Sequence, residues 1–169
     1  MIRAPGLSAR PPDDTVVAAL LACHERIHRF TALAARLGTP DGTAAERAAA
    51  AAGVVRYFTV ALPLHAADED ASLAPRLAGR DPAVDAALAQ MTAEHVAHAA
   101  PLARVVDAAR TIVAAPATVP PDLAAAAAAL ATLFAAHLAL EERAIFPAIA
   151  ALPADVEATI RAEMLARRR

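Results

Sequence analysis

The chain of 169 residues has no tryptophan, asparagine or lysine, a single cysteine, five glycines and an aromatic content of 3%. One cysteine, Cys23, excludes an internal disulfide and fits a reducing compartment. Scarce aromatic and β-branched residues leave little from which to build a sheet. A formal net charge of −2 supplies neither the basic footprint of a nucleic-acid-binding domain nor an acidic tail. The opening stretch MIRAPGLSARPPDD lacks an apolar core of signal-peptide length, so a cytoplasmic location is expected.

What is present is mostly helix former. Hydrophobic residues make up 58% of the chain, most of them alanine, and all 16 basic residues are arginine. This usage points to GC-rich coding, and to an all-α domain, because Ala, Leu and Arg favour helix. One uncharged run, Leu123 to Leu140, has about the length of a membrane span. It is mostly alanine, carries Thr132 and His137, and is followed at once by Glu141, Glu142 and Arg143. A helix buried in a protein core fits it better than lipid, so no membrane association is expected.

Turn and cap signals divide the chain. RPPDD opens a first helix near Asp13 or Asp14, which Gly38 closes. Thr43 to Glu46 is a capping box for a second helix that runs to Gly79. Asp81, with Pro82 behind it, caps a third, and Asp122 caps a fourth running to about Ala150. A short fifth helix follows Pro153, and Arg167, Arg168 and Arg169 complement the negative end of its dipole. The expected architecture is an antiparallel up-down four-helix bundle with a short C-terminal fifth helix. It divides into a tail over 1–12, the bundle over 13–150, and the last helix with its arginines over 151–169. Pro63 and Pro101 fall inside helices and should kink them.

On a helical wheel each long helix places one histidine at the centre of its apolar face. His24 lies among Val17, Leu20, Leu21 and Ile27. His65 and Glu69 share the stripe of Val54, Phe58 and Leu62. His95 lies between Val84, Leu88, Met91, Leu102 and Val106, with His98 displaced to one flank. His137 and Glu141 share the stripe of Leu130, Leu133 and Ala144, while Glu142 points well away. His28 sits at the edge of its arc, where a partly exposed polar role is favoured. Cys23 and Tyr57 read as core residues, although Tyr57 could quench radicals near a metal, and Asp68 could line a site, orient a histidine or be solvated.

Buried imidazoles and carboxylates are costly unless something pairs them. A metal ion is the simplest partner, and these donors suit iron, manganese or zinc. Depth along the bundle supports His65, His95 and His137 meeting at one level. His24 and His65 disagree, at about 14 against 22 residues from their shared loop, or roughly 12 Å. Either the second helix starts later, near Gly53, or the first loop wraps.

The ordered set LLACHERIHRF, LPLHAADED, MTAEHVAH and HLALEERAIFP resembles the hemerythrin-like, HHE cation-binding domains over about residues 13 to 150. The resemblance implies a four-helix bundle holding two non-haem iron ions, oxo- or hydroxo-bridged. It implies His24, His65, His95 and His137 as terminal ligands and Glu69 and Glu141 as bridges. The dioxygen carriers of marine worms use two histidines one turn apart on the third helix, but Ala99 stands four residues after His95 here. His98 is the nearest substitute, as a ligand or as a group supporting one. Those carriers also place the acid five residues after the fourth-helix histidine, at Glu142 here, whereas the wheel favours Glu141.

Three functions follow from this reading. The first is a stand-alone diiron protein that binds or senses dioxygen, nitric oxide or peroxide, as a monomer or weak homo-oligomer. The second is a diiron enzyme decomposing hydrogen peroxide, with His28, His98 or Asp68 as candidate base. The third is a helical interaction protein whose polar core holds zinc or no metal.

Overall fold

The computed structural model describes residues 14–39 and 42–169, so the expected tail over 1–12 and Asp13 lie outside it. All regular structure among the described residues is helical. The helices are α1 (Val16–Leu37), α2 (Ala44–Leu77), α3 (Pro82–Ala114), α4 (Leu123–Ala150) and α5 (Ala154–Ala166). α1 packs on α2 and α4, and α3 packs on the same two helices from the other side of the core.

Local chemistry explains most of the boundaries. The Thr43–Glu46 capping box opens α2, and Asp81 accepts the Ala83 N–H at the start of α3. The first helix opens close to where it was expected, and one expected cap, Asp122, is corrected. Thr15 accepts the Ala18 N–H and caps α1, whereas Asp122 precedes α4 without a side-chain cap. Gly79 stops α2 with φ +77°. Gly38 closes α1 with an ordinary φ of −74°, and its need for glycine is spatial. A Cβ there would lie 2.6 Å from the Ala124 Cβ, so the end of α1 can rest directly on the start of α4.

The apolar core is in two parts. One holds Ile27, Val54, Phe58, Val105, Ile112, Leu130 and Phe134. The other holds Leu20, Leu73, Met91, Ile145 and Ile149, with Ile160 from α5. Burying each such side chain contributes about 1.5–3 kcal/mol. On every long helix the histidines other than exposed His28 fall between the two parts, so a polar layer crosses an otherwise apolar interior. The depth mismatch between His24 and His65 is settled by the connection: α2 does start at its capping box, and its first buried side chain is Ala51. Residues 44–49 thus precede the part of α2 that packs on the core, and the two imidazole centroids come within 5.4 Å.

Among the described residues three wide π turns interrupt the helices, at Tyr57–Ala61 and Glu69–Leu73 in α2 and Glu141–Ile145 in α4. Their cause is in the sequence. Four α-helical residues advance about 40° beyond a full turn, so apolar residues four apart drift off the core face when the spacing repeats. The buried series 65-69-73-77 and 137-141-145-149 repeat it three times each, and a turn closed by i→i+5 bonds takes up the drift. Prolines cooperate. Pro63, Pro75 and Pro147 each stand two residues past a π turn and lack the N–H for an i−4 bond. The residue before each bonds five back instead, Leu62 to Tyr57, Ala74 to Glu69 and Phe146 to Glu141. The distortion expected at Pro63 is therefore a π turn, whereas α3 remains α-helical through Pro101.

The few aromatic rings are connected. Phe30 stacks on Tyr57 at 4.1 Å between centroids, Tyr57 meets Phe58, and Phe58 faces Phe134. Phe134 then meets His98 at 5.2 Å, and His98 meets His137 at 5.1 Å. Phe146 lies against His24.

Candidate metal centre

The π turns at Glu69 and Glu141 open on the two carboxylates that the helical wheel placed in the core. Glu141 lies between α1 and α4, with Oε2 3.0 Å from His24 Nε2 and Oε1 2.8 Å from His137 Nε2. Glu69 faces it, with Oε1 3.1 Å from His65 Nε2 and Oε2 3.3 Å from His95 Nε2. Two groups of donors result, His24, His65, Glu69 and Glu141, and Glu69, His95, His137 and Glu141. Within each group the candidate donor atoms lie within 4.8 Å of one another. The two glutamates are common to both.

The outward nitrogens are also engaged. His24 Nδ1 is 2.8 Å from Glu142 Oε1, His137 Nδ1 is 2.8 Å from Glu94 Oε2, and His95 Nδ1 is 3.2 Å from Asp70 Oδ1. A carboxylate on Nδ1 holds the proton there and leaves the Nε2 lone pair facing inward, the tautomer a metal requires. His65 Nδ1 has no such partner.

The inward atoms fit a cation. His24 Nε2, His65 Nε2 and all four carboxylate oxygens of Glu69 and Glu141 are buried without a hydrogen-bond partner. They approach one another closely but off the axes that a hydrogen bond needs. Buried oxygens and nitrogens left this way are costly unless an ion takes their lone pairs. Charge points the same way. Burial, and then the neighbouring Glu141, hold Glu69 well above the usual carboxylate range. Burial pushes Glu141 up too, but His137 and His24 hold it at about 2. Burial drives His65 down to about 3, so it stays a neutral, donor-competent imidazole. Burial also works against a proton on His137, yet Glu141 and Glu94 raise it.

The structure brings together all six residues expected at a metal: His24, His65, Glu69, His95, His137 and Glu141. Several neighbours differ from expectation. Glu142 does not point away; it stays 44% exposed at its side chain but turns back onto His24. Leu133, placed on the core stripe, is 38% exposed. His28 is exposed and apart from the donors, and His98, expected on a flank, is 6% exposed yet outside both donor groups. The roles of Glu94 and Asp70 escaped the sequence because neither lies on the apolar stripe of its helix, and their side chains stay 26% and 44% exposed. Their only signal is that each adjoins a core residue, Glu94 before His95 and Asp70 after Glu69.

Asp68 is fully buried and lines no donor group. Arg167 Nη1 and Arg168 Nη2 donate to its two oxygens at 2.9 and 2.6 Å. Arg167 also donates to Ser72, and Ser72 and Arg76 both donate to Glu163. The closing arginines thus tie α5 to the π turn that starts at Glu69, a larger role than complementing a helix dipole.

Beside the second donor group is a cavity of about 170 Å³. Its walls are Ile27, Leu62, Leu102 and Phe134, with His65, His95, His98 and His137 on the donor side and Pro63 and Ala99 at the exposed lip.

Fold and centre together define a helical bundle with a paired His/Glu cation site in its core. The chain belongs to the hemerythrin HHE cation-binding domain family, whose sequence profile matches residues 15–161. No curated protein matches the chain significantly.

Proposed function

We propose that this protein holds two non-haem irons between its long helices and binds or senses dioxygen, nitric oxide or peroxide there. The reading takes the helices as an antiparallel up-down four-helix bundle in the cytoplasm of a bacterium. His24 and His65 would serve one ion, His95 and His137 the other, with Glu69 and Glu141 bridging. The carrying observation is that two four-donor groups share two buried carboxylates whose oxygens have no hydrogen-bond partner. Bound iron would supply an electron-rich centre able to hold a small ligand. The chain's own part is to fix the tautomers through Glu142, Asp70 and Glu94, exclude water with the flanking apolar layers, and leave an adjoining cavity open.

The test is metal content and an ultraviolet–visible spectrum after anaerobic loading with ferrous iron and exposure to air. About two irons per chain with near-ultraviolet charge-transfer bands is the expected result. One zinc per chain, or no metal and no bands, would leave a helical interaction protein with a polar core. Sustained peroxide turnover by iron-loaded protein would instead favour the enzyme.

A further inference from the structure

We propose that His98 is not a metal ligand but the group that hydrogen-bonds a small, uncharged, oxygen-containing ligand held in the cavity beside the second donor group, and so sets which ligand stays. The proposal rests on the diiron reading above and deepens it. His98 lines the cavity, is 6% exposed and makes no hydrogen bond with any described residue. Every other histidine of the polar layer has a nitrogen within 3.3 Å of a carboxylate oxygen. Its Nδ1 is buried without a hydrogen-bond partner, which is costly, and its ring is fixed edge-on against Phe134 and His137. It stands outside both donor groups.

The cavity's chemistry narrows the ligand. Its remaining walls are aliphatic or phenyl, with no carboxylate or guanidinium among them, so an ion has no counter-charge there. About 170 Å³ is ample for a two-atom ligand, since one water occupies about 30 Å³ of liquid. Ala99 explains the opening: it contributes only a methyl group at the lip, one turn beyond His95, and Pro63 forms the opposite lining. The smallness of residue 99 and the unpaired imidazole of residue 98 therefore work together, one for access and one for retention.

Nitric oxide is the probe, because it is diatomic and offers an oxygen acceptor. Ferrous-loaded wild type, His98→Leu and Ala99→Leu proteins are compared for iron per chain, nitric oxide association and nitric oxide release. His98→Leu should keep the wild-type iron content and release nitric oxide about tenfold faster, the effect of one lost hydrogen bond. Ala99→Leu should slow association at unchanged iron content and should reduce xenon uptake by the metal-free protein. Loss of iron in His98→Leu would make His98 a ligand and overturn the proposal, as would an unchanged release rate. A wild-type protein that takes up no iron defeats the diiron reading itself and this proposal with it. Wild-type protein that loads two irons but shows no effect in either variant defeats this proposal alone.

Discussion

Glu69 and Glu141 occupy matching places at the head of a π turn, yet their surroundings push their protons in opposite directions. Burial and its neighbour's charge push the Glu69 carboxyl up, while two imidazoles hold Glu141 down. A bound cation would draw both carboxylates toward the ionised form, so uptake of metal should strengthen as pH rises. His65 gives a separate, signed prediction. Its folded value of about 3 lies below the ordinary 6.5, so the unfolded chain takes up a proton first as pH falls. The stability it contributes is present above 6.5 and is lost on the way down to about 3, by up to about 1.4 kcal/mol per pH unit. Melting temperatures of metal-free protein between pH 7 and 4.5 should therefore fall less steeply in His65→Leu than in wild type. Parallel slopes would assign the acid sensitivity elsewhere.

At the scale of the helices, the sequence carried most of the layout. Capping residues and Gly79 locate the ends of α2 and α3, and period-3.6 patterning puts His24, His65 and His137 inward as the structure does. The wheel was less reliable for side chains that bend back, such as Glu142 onto His24. It also misjudged the balance between His95, 16% exposed at its side chain, and the more deeply buried His98. The π turns were legible only as runs of four-residue spacing with proline behind them, a pattern that a fixed wheel averages away. They yield a test with two arms. Deleting exposed Arg143 removes the extra residue of a π turn, so α4 should keep its core face and the protein its cooperative melt and metal content. Deleting exposed Ala135 from the α-helical part instead rotates His137 and Glu141 by about 100° relative to the preceding turns. That protein should melt early and hold little metal. Equal damage from both deletions would mean that the π turn does not take up the drift of the four-residue spacing.

For the molecule as a whole, α5 acts as a clasp. Its arginines neutralise Asp68, a carboxylate with no exposed surface, directly beside Glu69. Truncation after Ala166 would strand that charge and should cost about 3 kcal/mol, a loss of several degrees in melting temperature. Asp68→Asn in the truncated chain should recover part of the loss, because the stranded charge is then gone. A truncated protein that melts with the full-length chain would show that the clasp adds nothing. The line of rings from Phe30 to His137 has a different consequence. With no tryptophan and a single tyrosine, emission excited at the long-wavelength edge of the phenol band, beyond phenylalanine absorption, comes from Tyr57 alone. That ring is tied by successive contacts to an imidazole of the centre. The molecule carries its own lamp, at one known address and within sight of whatever occupies its core.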